Sequence, residues 1–434
     1  MRRFLVAFAA LPLVAVGITS QAIRSDAAPQ YGRYVVVLND SADPHAVAQQ
    51  ATVLGAVVNG LFGSLNSLVA TLTPQGAAAL RSDPRVRLVT QDIPMRVTEA
   101  APSGVARIGA QPRPNAPAPA GGVQSGVAVI DTGISEHPDL NIAGGVNCAS
   151  DPLGDLLGGL LGGGGSTNYS DSHGHGTHVA GTVAAKNDNV GVIGVSPGAP
   201  LYAVKVFGAL GAGNLSDVIC GLDWVAANAA ANNIKVVNMS LGGAGVDDAG
   251  CGEGSQDALH LAVCRVVAQG VTVVVAAGNS KVNLVDTVPA SYDEVLTVSA
   301  MTDYDGLPGG VTAPTCADTK DQDDTYASFS NWAVGEEDSV HVVSAPGVCI
   351  SSTWKDGGFQ SLSGTSMASP HVAGLVARCI DSGPCAGMAP AQIIQKIRAD
   401  AAARPAGTGF SGDPTMPFGA EQRYYGHLVD SSTY

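Results

Sequence analysis

Three short segments of the chain combine the residue types that nucleophilic catalysis requires. Ser366 stands between a Gly-Thr turn and an apolar stretch, 367–380, that is predicted to be helical. Backbone N–H groups at a helix start favour nearby negative charge, but a serine hydroxyl still needs a base. The segment 173–178 offers three histidines as that base, and Asp131 offers a carboxylate to orient an imidazole. The order Asp, His, Ser is one of three unrelated orders in which a catalytic triad is built.

The same residues also permit other interpretations. The histidines could form a metal cluster, but the zincin signature H-E-x-x-H is absent because Gly and Thr stand between His175 and His178. An esterase or lipase would carry a nucleophile elbow G-x-S-x-G, whereas Ser366 lies in G-T-S-M-A. A binding protein built on a degenerate protease scaffold would lack at least one catalytic residue type. An assay that compares the hydrolysis of casein with that of a long-chain ester would separate an esterase from an enzyme that cleaves peptide bonds.

The chain resembles the subtilisin family of serine endopeptidases, the subtilases, in D-T-G, H-G-T-H and G-T-S-M-A-S-P. The resemblance implies that Ser366 is the nucleophile, His175 the general base and Asp131 the residue that orients the imidazole. It also implies that Asn279, in A-G-N, donates a hydrogen bond to the oxyanion beside the Ser366 N–H. The expected activity is hydrolysis of protein or peptide substrates, and that chemistry requires no cofactor.

The resemblance further implies two backbone segments that border an extended substrate. One segment contains Ser240, Leu241, Gly242 and Gly243, and the facing segment contains Gly211, Ala212 and Gly213. Glycines allow another backbone to approach closely, although the same residues are also common in turns. Gly242 with Ala277 and Gly278 would border the first specificity pocket, and these small, uncharged walls favour apolar or bulky side chains before the cleaved bond.

A cation site is expected in the loop that begins at Lys186, which resembles the calcium loop of many subtilisins. The implied ligands are the backbone carbonyls of Lys186, Val190 and Val192 and side-chain oxygens of Asp188 and Asp139. Hard oxygen ligands of this kind suit Ca²⁺, which would be structural. The alternative is a polar loop that ends a helix and binds no ion.

The first 22 residues are predicted to be a secretory signal peptide. Arg2 and Arg3 precede an apolar run, 4–18, and small residues at Ser20 and Ala22 suit a cleavage site. The apolar run is short for a membrane span, so a membrane anchor is the less favoured alternative. We therefore expect a secreted, extracellular protein.

Residues 23–99 are predicted to form a propeptide domain, with an ordered part at about 33–97. Alternating patterns there indicate the order βαββαβ, which is typical of a small α+β, ferredoxin-like domain. The segment resembles the inhibitory propeptide of secreted subtilases, and an ordinary accessory domain is the alternative. The proline-rich segment 100–122 is predicted to be a linker and the mature N-terminus, with processing near 99–103.

Residues 123–434 are predicted to form the catalytic domain. Strands and helices alternate, and several strands, such as 126–130 and 271–276, are apolar along their length. This pattern predicts an α/β fold with a doubly wound, mostly parallel sheet covered on both faces. Asp131 and Asn279 each follow a predicted strand, and ligands of such sheets bind outside the carboxyl ends of the strands.

The composition of the chain limits the classes of molecule that it is expected to bind. The chain has 434 residues, of which 45% are hydrophobic, so it can bury one large and one small core. Its net charge of −15 argues against nucleic-acid binding, and we expect a monomer that binds no membrane. Eight cysteines in an exported chain indicate disulfides, although any one of them could be a buried thiol. Proximity in the sequence favours the pairs Cys379–Cys385 and Cys251–Cys264, and Cys316–Cys349 is a further hypothesis.

Overall fold

The computed structural model describes residues 31–97, 104–110, 123–150, 167–188, 191–310, 312–316, 319–414 and 423–434. The predicted signal peptide and most of the predicted linker lie outside these ranges, and so does Val190 of the predicted cation loop.

The N-terminal domain has the element order that the sequence predicts. Its elements are β1 Gly32–Leu38, α1 Pro44–Val53, β2 Val57–Phe62, β3 Ser67–Leu72, α2 Pro74–Arg81 and β4 Val86–Gln91. Within residues 31–97 these strands form an antiparallel sheet in the order β2-β3-β1-β4. Asp43 caps α1 and Thr73 caps α2, because the oxygen of each side chain accepts a hydrogen bond from a first-turn N–H, at 2.9 and 3.1 Å. A proline follows each cap, where its missing N–H costs nothing.

The remaining elements begin with the strand at residues 94–97, which ends the N-terminal domain, and then alternate between strands and helices. The strands are β5 Pro94–Val97, β6 Gly126–Asp131, β7 Ile142–Asn147, β8 Leu201–Lys205, β9 Ala212–Asn214, β10 Ile234–Met239, β11 Leu241–Ala244, β12 Thr272–Ala276, β13 Thr287–Val288, β14 Leu296–Thr302, β15 Thr325–Tyr326, β16 Val342–Val348, β17 Ile350–Thr353, β18 Phe359–Leu362 and β19 His427–Leu428. The helices are α3 His175–Ala184, α4 Leu215–Asn228, α5 Ala258–Ala268, α6 Glu336–Ser339, α7 Thr365–Ser382 and α8 Pro390–Ala402.

A large sheet organises this domain. In the described ranges its strand order is β19-β16-β14-β12-β10-β6-β8-β7, with every neighbour parallel, and β15 pairs antiparallel with β14. Val127 and Val129 of β6 belong to a core that contains α3, α7 and α8, while Ala128 and Ile130 belong to a core that contains α4 and α5. Because alternate residues of the strand face opposite layers of helices, the predicted doubly wound fold is confirmed.

Four disulfides take up all eight cysteines of the chain. They are Cys148–Cys220, Cys251–Cys264, Cys316–Cys349 and Cys379–Cys385. The last three pairs are those named from the sequence, and the first pair, which was not predicted, closes a separation of 72 residues. Among the described residues, no helix combines the length and the apolar character that crossing a membrane would require.

Candidate active site

The carboxylate, the imidazole and the hydroxyl are each placed by the end of a secondary-structure element. Asp131 is the last residue of β6, His175 is the first residue of α3 and Ser366 is the second residue of α7. Helices α3 and α7 pack against each other, and α7 also contacts β6. The three residues are fully buried. The fold therefore gathers residues 44 to 235 positions apart in the sequence at one edge of the sheet.

Asp131 and His175 form a direct hydrogen-bonded pair. Nδ1 of His175 lies 2.8 Å from Oδ1 and 3.0 Å from Oδ2 of Asp131. A carboxylate can only accept, so Nδ1 carries the proton and Nε2 is left as the nitrogen that can accept one. The N–H of Thr132 donates to Oδ1 at 2.7 Å, and the N–H of Gly176 donates to the Thr132 hydroxyl at 2.9 Å. These bonds tie the turn after β6 to the first turn of α3.

The approach to His175 requires glycine at position 174. Gly174 has a φ of +115°, which lies in the region that favours glycine. A Cβ atom there would lie 2.3 Å from Cζ2 of Trp354, so any larger residue would displace the indole. The tight entry to α3 thus depends on both the backbone conformation and the space at this position.

The two neighbouring histidines have different environments. Burial lowers the pKa of His178 to about 3, and one ring nitrogen of His178 contacts the carbonyl of Ile350 at 3.0 Å. A neutral imidazole held in this way cannot exchange protons near pH 7. Nδ1 of His173 accepts a long hydrogen bond, 3.4 Å, from the N–H of His175. Of the three histidines in the segment 173–178, His175 is the one for which a carboxylate hydrogen bond has been described.

Ser366 lies against the segment that precedes β11. Its hydroxyl donates to the carbonyl of Ser240 at 3.3 Å, and the Ser240 hydroxyl donates to the carbonyl of Ser366 at 2.9 Å. Asn238 donates to that same Ser240 hydroxyl at 2.9 Å and accepts from the Ser369 hydroxyl at 2.7 Å. This buried polar chain links β10, β11 and α7 behind the serine. Sequence reasoning missed Asn238 and Ser369. The only indication of their role was that Asn238 lies two residues before Ser240 and Ser369 lies three residues after Ser366.

Asn279 faces the start of α7. Its Oδ1 accepts hydrogen bonds from the N–H and the hydroxyl of Thr365, each 2.9 Å long. Ala277 and Gly278 lead from β12 to this residue, and the Gly278 N–H donates to the Thr365 hydroxyl at 3.0 Å. Nδ2 of Asn279 is buried and has no partner in the part of the chain that the structure describes. A buried donor without an acceptor is costly, so this atom is suited to a ligand oxygen.

A buried lysine lies beside the catalytic carboxylate, and sequence reasoning missed it. Lys205 on β8 is in register with Asp131 on β6, and its ammonium donates to the carbonyl of Thr132. Burial lowers the pKa of Lys205, while Asp171 and Asp131 oppose that shift. The cation therefore lies under the turn that carries the Asp131 carboxylate. A single lysine in an apolar strand carried no pattern that could have indicated this contact.

The predicted cleft strands flank a strand of the chain's own N-terminal domain. Strand β5 pairs antiparallel with β11, with Val97 opposite Leu241 and Arg96 opposite Gly242. On its other edge β5 pairs antiparallel with β9, with Arg96 opposite Ala212. A peptide in this position gains main-chain hydrogen bonds on both sides. The segments that we expected to border a substrate thus border residues 94–97.

The other predicted cleft residues belong to the same small sheet. Gly213 pairs with Met95 of β5, and Gly243 pairs with Val288 on the far edge of β11. Gly211 lies just before β9 with a φ of +66°, which favours glycine. The sheet order β13-β11-β5-β9 therefore places a chain segment between two glycine-containing strands.

Apolar and polar contacts hold the N-terminal domain against α4 and α5. Five of its side chains share the core of those helices, namely Val35, Val37, Leu65, Val69 and Leu88. Asp92 accepts a hydrogen bond from the N–H of Ser216 near the start of α4, and its other oxygen pairs with Arg33 at 2.8 Å. Thr90 accepts from the N–H of Ala258, the first residue of α5, at 2.9 Å. Each helix start thus receives an oxygen from this domain, as unpaired helix N–H groups require.

The predicted cation loop contains an unsatisfied carboxylate oxygen. Asp139 is buried, its Oδ2 accepts a long bond of 3.4 Å from Val192, and its Oδ1 has no partner among the described residues. Burial raises the pKa of Asp139, and the nearby Asp188 raises it further. The N–H of Lys186 donates to the Asp139 carbonyl at 2.9 Å, which holds the loop close. A buried carboxylate oxygen without a partner is the kind of donor that a hard cation such as Ca²⁺ prefers.

A carboxylate–imidazole pair and a serine at a helix N-terminus, carried by two helices that pack together at one edge of a doubly wound sheet, are the arrangement of a serine hydrolase. A protein-family model described as "Subtilase family" matches residues 123–424 of the chain. The chain therefore belongs to the subtilase family, and it is a serine endopeptidase.

Similar proteins agree with this assignment. The M-protease of Shouchella clausii (strain KSM-K16) is 36% identical over 324 residues, which cover 74% of this chain and 71% of the relative. Subtilisin Savinase of Lederbergia lenta is 37% identical over 286 residues, which cover 66% of this chain and 86% of the relative. The crystal structure of a cold adapted subtilisin-like serine proteinase is 29% identical, has a TM-score of 0.53, and covers 76% of this chain and 97% of that one.

Proposed function

We propose that this chain is the precursor of a secreted, monomeric endopeptidase that cleaves itself and is then inhibited by its own propeptide. In this proposal Ser366 is the nucleophile, His175 is the base and Asp131 orients the imidazole. The observation that carries this proposal is the position of β5 between β9 and β11. Ser240, which directly precedes β11, accepts a hydrogen bond from the Ser366 hydroxyl through its carbonyl. A chain segment held there is presented as a peptide substrate would be.

The chemistry follows from the proton positions. His175 accepts the Ser366 proton at Nε2 while the Ser366 oxygen attacks the carbonyl carbon of the cleaved bond, and Asp131 stabilises the imidazolium. Nδ2 of Asn279 and the N–H of Ser366 donate to the developing oxyanion. The imidazolium then gives its proton to the leaving amine, and the C–N bond breaks. Water hydrolyses the resulting ester by the same proton transfers, with His175 again as the base.

The N-terminal domain supports the inhibitory part of the proposal. It contributes apolar residues to the core of α4 and α5, and Asp92 and Thr90 occupy the starts of the same helices. A domain anchored in this way keeps its terminal strand in the cleft after the chain is cut. The cleaved propeptide would therefore inhibit the enzyme as a bound product, without further contacts to the reacting atoms.

Export and a structural cation complete the proposal. The signal-like residues 1–22 and the four disulfides suit an oxidising, extracellular location. Asp139 and Asp188, with backbone carbonyls of the 186–192 loop, would hold Ca²⁺. A bound cation would supply the missing partner of Asp139 and would stabilise the loop without entering the reaction.

The test compares the wild-type precursor with Ser366→Ala, and uses the exposed Ser361→Ala as a matched control. The wild type and the control should each yield two fragments and hydrolyse casein, and a serine-directed covalent inhibitor should abolish the activity. The Ser366→Ala chain should remain uncut and inactive while folding normally. An uncut, inactive wild type after refolding would contradict the proposal, as would casein hydrolysis by Ser366→Ala or a preference for a long-chain ester.

A further inference from the structure

The side chain of Lys205 faces the layer of helices that contains α3. Leu201 and Ala203, which alternate with it along β8, belong to the core that includes α3, whereas Val204 belongs to the opposite core. Lys205 is the last residue of β8 and lies in register with Asp131, the last residue of β6. Residues in register on neighbouring strands project from the same face of a sheet. The ammonium group and the Asp131 carboxylate therefore enter the same buried layer.

The ammonium group holds the turn that follows Asp131. Nζ of Lys205 donates to the carbonyl of Thr132, whose own N–H donates to Oδ1 of Asp131 at 2.7 Å. The Thr132 hydroxyl accepts from the N–H of Gly176 at 2.9 Å, so one residue connects the lysine, the carboxylate and the first turn of α3. A Cβ atom at Gly176 would lie 2.2 Å from the carbonyl oxygen of Gly133, so the helix and the turn are in close contact. A change at Lys205 is therefore transmitted to the catalytic carboxylate.

A second buried carboxylate, that of Asp171, acts on the same lysine. Its Oδ1 accepts from the N–H groups of His173 and Gly174, at 2.9 and 2.8 Å, and its Oδ2 accepts from the N–H and the hydroxyl of Thr177, at 2.9 and 2.7 Å. Carboxylate oxygens that accept four hydrogen bonds need no proton of their own. Burial lowers the pKa of Lys205, and the charge of Asp171 opposes that shift. Asp171 thus places a second negative charge at the start of α3.

These buried charges influence how readily His175 takes up a proton. The carboxylates of Asp131 and Asp171 and the ammonium of Lys205 together leave one negative charge beside the imidazole. Without the ammonium there would be two, and additional negative charge favours the imidazolium form. A unit charge that acts across roughly 10 Å, at an effective dielectric constant of about 20, shifts a pKa by about one unit. The lysine charge is therefore large enough to matter for a proton-transfer residue.

Three further titratable side chains lie around the imidazole of His175. Burial lowers the pKa of His178 to about 3, so this residue is neutral near pH 7. Nδ1 of His173 accepts from the N–H of His175, which leaves that nitrogen without a proton. Lys355 donates to a backbone carbonyl of the same segment at 2.9 Å, in an exposed position where water screens its charge. Compared with these groups, Lys205 is the one that carries a buried positive charge.

We propose that Lys205 is a positioning residue whose charge lowers the proton affinity of His175, so that His175 acts as a base at lower pH than the two carboxylates alone would allow. The inference rests on the proposed role of His175. Lys205 acts through Asp131 and the turn that follows it, because its ammonium contacts the Thr132 carbonyl rather than a reacting atom.

The experiment measures kcat/KM against pH with a chromogenic peptide, for enzymes that are each produced as the full chain. Because activity requires the neutral imidazole, kcat/KM rises with pH through an acid limb. The substitution Lys205→Met should move this limb to higher pH by about one unit, which is about a tenfold loss of kcat/KM below the limb and little loss above it. Lys205→Arg keeps the charge and should keep the limb in place. The exposed Lys320→Met is the matched control and should leave the whole profile unchanged.

A double variant separates charge from structure. Lys205→Met with Asp171→Asn removes one positive and one negative charge, so the acid limb should return towards its wild-type position. Circular dichroism and the Tm establish whether each variant folds. If Lys205→Met alone does not fold, Lys205→Arg and the double variant still test the inference, since both must keep the limb near its wild-type position.

Two kinds of failure are distinguishable. A Lys205→Met enzyme that loses kcat equally at every pH, with an unmoved acid limb, would show a purely structural role; it would overturn this inference and leave the proposed function intact. A limb displaced by a full unit in Lys205→Arg or in the double variant would also overturn it. Absence of Ser366-dependent hydrolysis in the wild type would instead overturn the proposed function, and this inference with it.

Discussion

Thr365 fixes the orientation of Asn279 through two hydrogen bonds to one atom. The N–H and the hydroxyl of Thr365 both donate to Oδ1 of Asn279 at 2.9 Å. Because a backbone N–H can only donate, the amide oxygen must face Thr365, and Nδ2 therefore faces away from it. The residue that precedes the proposed nucleophile thus also aims the proposed oxyanion donor.

The substitution Asn279→Ala should lower kcat by about 10²–10³ and leave KM nearly unchanged, because the lost hydrogen bond forms in the transition state. This magnitude is that of the corresponding donor in subtilisin. Steady-state kinetics on a chromogenic peptide would measure it. A change confined to KM would show that Asn279 binds the ground state instead.

The substitution Thr365→Val should lower kcat by up to about tenfold, because it removes one of the two bonds that orient Asn279. Thr365→Ser keeps the hydroxyl and should retain most of the activity. In the Asn279→Ala background, Thr365→Val should have little further effect on kcat, since no amide remains to be oriented. Equal losses of kcat from Thr365→Val in both backgrounds would separate Thr365 from the oxyanion site.

Docking of the N-terminal domain should depend on pH through Asp92. Burial raises the pKa of Asp92 above its ordinary value of 3.8, so the docked state binds a proton that the unfolded state releases. Stability from this group is therefore present at low pH and is lost as the pH rises through the raised value. In a Ser366→Ala precursor, the free energy of unfolding should fall less steeply above pH 4 when Asp92→Asn is added. Denaturant titrations between pH 4 and 8 would measure both slopes, and parallel curves would exclude Asp92 as the source.

Removal of calcium should destabilise the protein. Chelation should lower the Tm of the Ser366→Ala precursor, and added Ca²⁺ should restore it. At a concentration 100 times the Kd, Ca²⁺ should raise the free energy of unfolding by about 2.7 kcal/mol. Asp139→Asn should abolish the response to Ca²⁺, whereas the exposed Asp356→Asn should preserve it. Calorimetry with and without Ca²⁺ would measure both. An unchanged response in Asp139→Asn would place any cation elsewhere.

The disulfide Cys148–Cys220 should stabilise the fold more than Cys379–Cys385. The separations are 72 and 6 residues, and the chain-entropy model then predicts losses of about 4 and about 2 kcal/mol when each pair is replaced by serine. Denaturant unfolding in the Ser366→Ala background would measure these losses without autolysis. A larger loss from the 379–385 pair would show that local packing outweighs the closed loop.

Several features of this protein could be predicted from neighbouring residues alone. The apolar strand 126–130 and the turn at Asp131 follow from local pattern, and so do the helix after Ser366 and the βαββαβ order of residues 33–97. The disulfides Cys251–Cys264 and Cys379–Cys385 were also predictable, because chain segments close in sequence are close in space. In each case the forces that decide the structure act within about 35 residues.

The remaining features depend on packing between distant segments. Lys205 under the turn after Asp131, the Cys148–Cys220 pair and the orientation of Asn279 by Thr365 join residues 72 to 86 positions apart. The placement of β5 between β9 and β11 spans still greater separations. No periodicity encodes such contacts, because they arise only when two layers of helices close over the sheet and bring its loops together. Short sequence motifs therefore determined which residues can take part in catalysis, whereas the tertiary fold determined how these residues are placed relative to one another.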